Sequence, residues 1–177
     1  DKVAEESNTP LLKTSHINND EIIKAIRQHD IDWLFIIGWS QIASEDVIQS
    51  CKKGAIGAHP TLLPKGRGRA AIPWAIIKGL DSTGLTFFNM DKGVDTGDIL
   101  EQVEIPITKD ETSSTLYKKV NIAHTDLIEK IWPKIIENSL VGEKQNESQA
   151  TYWEGRKPKD GEIKPNNMTV EEADRLV

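Results

Sequence analysis

Hydrophobic and polar positions along the chain change period several times, and each change marks an element. Ile22, Ile23, Ala25 and Ile26 form an apolar stripe at helical spacing, which predicts a helix through about Gln28 that Asn18 or Asn19 can cap. Trp33-Leu34-Phe35-Ile36-Ile37 then runs apolar on both faces and stops at Gly38, the pattern of a buried parallel strand. A helix over 44–53 leads into a short strand over 55–59, broken by Pro60. Beyond it, residues 69–80 read as a helix with Pro73 near its start. Residues 83–90 read as a strand, and 98–107 as another with alternating Leu100, Val103 and Ile105; 91–97 is the loop between them. From 111 to 140, Leu116, Val120, Ala123, Leu127, Ile131 and Ile135 recur at helical spacing, predicting one long helix or two that meet at Pro133. Residues 141–149 are polar and read as a surface connection. The alternation of helix and strand predicts an α/β fold, doubly wound around a mostly parallel sheet.

Composition narrows the class. With 177 residues, 37% of them hydrophobic, the chain fits one compact domain with a sizeable core. A net charge of −6 argues against a nucleic-acid binder, which needs a concentrated Lys/Arg surface. No apolar run reaches the roughly 18 residues a membrane span requires, so no membrane association is expected. Cys51, the single cysteine, cannot form an internal disulfide and reads as structural, which fits a cytoplasmic location. Residues 1–8 look helical and open without Met, and Thr169-Val170-Glu171-Glu172 is a capping box that starts a helix at the other end. Both ends therefore read as cuts in a longer chain.

In α/β sheets, ligands bind beyond the carboxyl ends of the strands. Three segments fall there: Gly38-Trp39-Ser40-Gln41, residues 59–69, and residues 91–98. The second joins the imidazole of His59 to a proline-stiffened, glycine-opened loop carrying Arg67 and Arg69, a composition suited to holding an anion beside a base. The third brings Asp91, Asp95 and Asp98 together, with Gly93 and Gly97 letting the backbone approach a ligand closely. Lys92, Val94 and Thr96 interrupt the alternate oxygen ligands that a calcium loop needs, so no metal is expected. His16, His29 and His124 lack a second ligand at helical spacing and read as solvated or structural. Trp33, Trp74 and Trp132 fit core faces, and Trp39 is expected to face the site.

Two motifs in order, HPTLLPKGRG at residues 59–68 and MDKGVDTGDIL at residues 90–100, resemble the signature of the folate-dependent formyltransferases. The resemblance covers most of the chain, to about Ile163. It implies a Rossmann-like catalytic domain whose opening strand and helix precede anything present here, and 10-formyltetrahydrofolate as formyl donor. By the match, His59 and Asp95 take the positions of the family's catalytic histidine and aspartate. Asp95 would orient the imidazole, and His59 would help move the proton of the attacking amine. The resemblance further implies that Gly38, Trp39, Ser40, Asp91, Gly93 and Val94 line the folate site, and that Pro60, Thr61, Arg67 and Arg69 serve the acceptor. The two arginines either pair with phosphates or are solvated loop charges.

One position departs from the pattern. The family usually has asparagine two residues before the histidine, donating to the oxyanion, where this chain has Gly57. Losing such a donor costs on the order of 10²–10³ in rate. A backbone N–H, or another side chain such as Asn89, compensates, or the site is impaired. The tail from Thr151 to Ile163, with its Arg-x-Pro-x-Asp-Gly-x-Ile cadence, is similar to the segment that follows the catalytic domain in sugar N-formyltransferases. The expected acceptor is thus a nucleotide-linked amino sugar. Methionyl-tRNA, a non-catalytic folate- or nucleotide-binding module, and hydrolysis of formylfolate are the rivals. The expected organisation is a catalytic domain over 1–149, then a linker and the start of a C-terminal region over 150–177, in a protein that could form a homodimer.

Overall fold

The computed structural model describes residues 2–39 and 41–176. They divide into two compact units, Asp1–Ala55 and Ile56–Val177. The first unit contains α1 (Lys2–Glu6), α2 (Asp20–Gln28), β1 (Trp33–Ile36) and α3 (Glu45–Ile48). Helix α2 buries Ile23 and Ile26, the centre of the predicted stripe. Asn19 holds the N-cap position without a side-chain bond to the helix backbone, its Nδ2 donating instead to Thr14 Oγ1. Asn18 instead ties a loop, its Oδ1 accepting from Ser44 N (2.8 Å) and its Nδ2 donating to Ile42 O (2.9 Å). Helix α3 is shorter than expected and ends at Ile48. The N–H groups of Lys52 and Lys53 donate to the Ile31 and Asp32 carbonyls (3.0 and 2.9 Å), so tertiary bonds to the segment before β1 take the place of helical ones.

Strand β2 (Gly54–His59) begins at the end of the first unit and leads into β3 (Arg67–Gly68), α4 (Ala71–Ile77), β4 (Ser82–Asn89) and β5 (Ile99–Pro106). Then come α5 (Ser113–Ile136), β6 (Tyr152–Trp153) and α6 (Val170–Asp174). The α/β class is as expected. Strand β4 pairs antiparallel with both β2 and β5, the short 91–97 loop reversing the chain between β4 and β5. Strands β3 and β6 pair in parallel, and through them residues 150–176 pack into the second unit. Helix α5 runs unbroken through Pro133, which lies in its last turns, where few helical bonds are lost. Its stripe of Leu116, Val120, Ala123, Leu127 and Ile131 is buried. The stripe lies on the side of the sheet carrying Phe87, whose ring meets His124 at 5.9 Å between centroids. His124 also donates from Nδ1 to Val120 O, a structural role.

Trp132 departs from the sequence reading: it is 53% exposed on α5, because its position falls outside the buried stripe. Trp33 and Trp74 are half-buried. Cys51 is buried, and burial pushes its thiol up, as expected of a structural cysteine. Thr169 and Glu172 close the predicted capping box on α6. Among the described residues, no helix is long and apolar enough to cross a membrane.

Candidate active site

His59 ends β2 opposite Thr86 of β4. The buried Thr86 hydroxyl donates to Thr61 O (2.6 Å) and accepts from Leu63 N and Gln102 Nε2, so the loop leaving His59 is pinned to β4 and β5. The imidazole is buried, with Nε2 2.7 Å from the Gly66 carbonyl and Nδ1 3.5 Å from Asp95 Oδ2. A carbonyl oxygen only accepts, so Nε2 carries a proton, and in the neutral ring the lone pair sits on Nδ1. A proton taken up by His59 would arrive at Nδ1, directly beside a carboxylate. Asp95 is itself held, since its Oδ2 accepts from Gly68 N at 2.8 Å. Its backbone has φ +56°, a left-handed conformation that a non-glycine residue adopts only when its surroundings impose it.

Arg67 corrects the sequence reading of a phosphate ligand. Its side chain is 0% exposed and fully engaged. Nε and Nη2 donate to Gln145 Oε1 (3.1 and 2.7 Å), both Nη atoms donate to the Glu147 carboxylate, and Nη1 donates to Tyr152 Oη. No donor is left for a ligand, so Arg67 locks β3 to the segment after α5. Arg69, on the same loop, is exposed. Gln145, read as part of a polar surface connection, is 8% exposed and bonds the carbonyls of Asp95 and Gly97. No sequence signal marked it, because its partners lie far away along the chain.

Gly57 is filled from across the ladder. It pairs with Phe88, and a Cβ at Gly57 would lie 2.7 Å from Phe88 Cζ and 3.1 Å from Met90 Cγ. The room that an asparagine side chain would need holds an aromatic ring. Asn89 does not substitute: it pairs with Ile56, so strand alternation turns it to the face opposite Gly57 and His59, where its Nδ2 lies beside Gly142.

Asp91 Oδ1 accepts from Gly93 N (2.9 Å) and the Thr96 hydroxyl (2.7 Å), giving the 91–97 loop an internal brace. Asp91 and Gly93 are exposed, as is Val94 at 49%. Pro60 follows His59 and accepts from Thr83 Oγ1 through its carbonyl. Thr61 is buried, and its Oγ1 is a buried side-chain oxygen with no hydrogen-bond partner. In the first unit, Gly38 has φ +66° and Trp39 is 42% exposed; Ser40 lies outside the described residues.

A cleft of about 260 Å³ lies in the second unit, lined by Trp74, Lys78, Tyr152, Trp153, Glu154 and Lys157, among others. Lys78 Nζ sits 5.4 Å from the Trp74 ring and 6.0 Å from that of Trp153, within cation–π range. Trp74 Nε1 donates to Glu154 O at 2.7 Å, fixing helix α4 to the tail. The Trp153 ring also packs over Gly66, the residue whose carbonyl holds His59: a Cβ there would stand 2.9 Å from the indole. One wall of the cleft and the histidine therefore share a single residue. Sequence reasoning had not singled out Trp153.

His59, at the end of β2 and fixed between a glycine carbonyl and a carboxylate, and Asp95 belong to the two motifs that carry the resemblance to the formyltransferases. Residues 1–131 match the model of the formyl transferase family. Over 161 residues the chain is 31% identical to a methionyl-tRNA formyltransferase of Geobacter metallireducens, covering 91% of this chain and 52% of that protein. The chain spans about half the length of such curated relatives. Among solved structures, WlaRD, a sugar 3N-formyl transferase determined with dTDP and 5-N-formyl-THF, superposes with a TM-score of 0.75 at 22% identity, over 99% of this chain and 60% of that one. The methionyl-tRNA formyltransferase of Clostridium thermocellum superposes with a TM-score of 0.73 at 23% identity, over 99% and 74%. At those identities the two structures speak for the fold, while the family match and the sequence relative speak for descent: the chain belongs to the formyl transferase family.

Proposed function

We propose that the protein transfers a formyl group from 10-formyltetrahydrofolate to a primary amine, with His59 and Asp95 as the acid/base pair. The observation that carries this reading is the buried His59 with Nδ1 3.5 Å from Asp95. The folate supplies the activated formyl carbon. Its recognition fits the braced 91–97 loop, where the exposed Asp91, Gly93 and Val94 offer backbone and side-chain groups to a flat heterocycle. As the amine attacks, its nitrogen becomes acidic. His59 Nδ1 accepts that proton, and Asp95 lowers the cost of the imidazolium that results; the same proton would then pass to the folate N10 as its bond to the formyl carbon breaks, releasing tetrahydrofolate and restoring neutral His59. Nε2–H stays on the Gly66 carbonyl and keeps the ring oriented.

For the acceptor we propose a nucleotide-linked amino sugar. Support comes from the aromatic cleft beside Gly66, whose tryptophans suit a nucleobase and whose Lys78 and Lys157 suit phosphates; the exposed Arg69 and the half-buried Pro60 are the further acceptor contacts of this reading, while Thr61 is buried. The family membership shared with a methionyl-tRNA formyltransferase favours a second acceptor, the amino group of methionyl-tRNA. Gly57, beneath Phe88 with no asparagine amide, favours binding without turnover. Incubating the full-length protein with 10-formyltetrahydrofolate and a panel of acceptors separates these readings. Folate consumed only with amino-sugar nucleotides supports the proposal, and consumption only with charged tRNA favours the second acceptor. Folate binding without consumption refutes the enzyme reading, and consumption with no acceptor points to hydrolysis.

A further inference from the structure

We infer that Gln145 is a positioning residue for Asp95, coupling the buried Arg67 to the carboxylate side of the site. The inference rests on the assignment of His59 and Asp95 given above. The Gln145 amide has two N–H donors and a carbonyl oxygen with two lone pairs, and all four are engaged. Nε2 donates to Asp95 O at 2.9 Å and to Gly97 O at 2.7 Å. Oε1 accepts from Arg67 Nε at 3.1 Å and Nη2 at 2.7 Å. Arg67 is in turn held by Glu147 and by Tyr152 Oη, with its guanidinium carbon 5.5 Å from the Tyr152 ring centroid. Gln145 therefore has one orientation available, and that orientation fixes two carbonyls of the loop carrying Asp95.

What it fixes matters because Asp95 is in the left-handed region at φ +56°. A non-glycine residue persists there only when contacts around it over-determine the backbone. Its side chain accepts from Gly68 N, and the same Oδ2 faces His59 Nδ1 at 3.5 Å. The backbone restraint at Asp95 O and Gly97 O comes from Gln145. A chain of hydrogen bonds thus runs from β6 through Arg67 and Gln145 to the backbone carbonyl of the residue whose carboxylate faces His59. Removing the amide donors frees the loop to relax toward an ordinary conformation, which carries the Asp95 carboxylate away from Nδ1. A displacement of about 1 Å at such a group costs on the order of 10²-fold in rate.

The test uses Gln145→Glu in the full-length protein. It preserves side-chain length and the acceptor for Arg67 but turns a carboxylate oxygen toward two carbonyls. Two quantities are measured: the split between kcat and KM for formyl transfer, and the NMR chemical shifts of the His59 ring nitrogens at a single pH, which need no turnover. The expected result is a fall in kcat of about 10²-fold with KM unchanged, and His59 ring-nitrogen shifts displaced from wild type in the direction of Asp95→Asn. Wild-type kcat and wild-type His59 shifts in Q145E, while D95N alters both, would overturn the positioning role and leave the pair intact. If D95N itself changes neither quantity, the pair is wrongly assigned and Gln145 has nothing to position. Should Q145E fail to fold, Gln145→Asn, one methylene too short to span both partners, replaces it: the same fall in kcat and the same displaced ring-nitrogen shifts are expected, and wild-type values of both overturn the positioning role.

Discussion

Replacing Gly57 by asparagine, the residue the family usually carries there, is a direct test of how this site is built. The added Cβ would stand 2.7 Å from Phe88 Cζ, 2.9 Å from Cε1 and 3.1 Å from Met90 Cγ. Contacts this short force a shift, and Phe88 is buried with only 4% exposure, so its ring can move only by pressing on neighbours. Overpacking of this kind costs about 1–3 kcal/mol, or about a 5- to 150-fold change in the folded-to-unfolded ratio. Chemical denaturation of G57N is therefore expected to show a lower midpoint with an unchanged slope. Shrinking the obstacle with Phe88→Val should make the asparagine tolerable. A double-mutant cycle then gives a favourable coupling of about 0.5–3 kcal/mol between the two substitutions. Catalysis follows the same logic. Position 57 shares the strand face of His59, so an asparagine amide with room to settle there reaches the reaction centre. The double variant should gain rate toward the 10²–10³ that one oxyanion donor typically supplies, and G57N alone should fall short of it. A G57N protein of wild-type stability, with strictly additive effects in the cycle, would refute the account in which Phe88 occupies the asparagine's place.

Three further outcomes are expected. His59→Ala and Asp95→Ala should each lower formyl transfer by about 10²–10⁴-fold while circular dichroism stays unchanged; full activity in either removes the pair from the mechanism. Arg67→Met strands the buried Gln145 Oε1 and should cost about 1–3 kcal/mol on that account alone in a denaturation series. Glu147→Ala removes a carboxylate that is 66% exposed, where water can take its place at Arg67, and should lower the denaturation midpoint less than Arg67→Met in the same series. Glu111 governs an acid limb: burial, the largest influence, pushes its carboxyl up, yet hydrogen bonds from Lys119, Thr115 and the Thr108 backbone together hold it below its ordinary 4.5. A carboxyl with a lowered folded-state pKa stabilises the protein above its unfolded value and loses that contribution as pH falls through the folded one. Stability measured against pH should thus drop below about pH 4.5 in wild type, and Glu111→Gln should flatten that drop and be less stable above it.

The strands and the long helix were legible because their signal is local. The stripe from Leu116 to Ile131 carries its own period, and Pro133 was ambiguous only because a sequence does not reveal whether a proline falls in the last turns of a helix or at a joint. His59 and Asp95 were legible for a different reason: each lies in a motif whose spacing is specific. The failures share one cause. Helix α3 stopped early because Lys52 and Lys53 bond to Ile31 and Asp32, and no window of neighbouring residues contains that information. Arg67 looked like a phosphate ligand and Gln145 like solvated connection because arginine and glutamine have the same local signature whether they meet water or each other. Their bond joins positions 78 apart in the chain. Gly57 makes the same point in reverse. Its sequence showed a missing amide, while the ladder with β4 shows why the amide is missing: Phe88 crosses from the paired strand and fills the space. The absent donor and the packed ring concern the same space, so a change at position 57 has to be judged together with position 88, in stability as well as in rate.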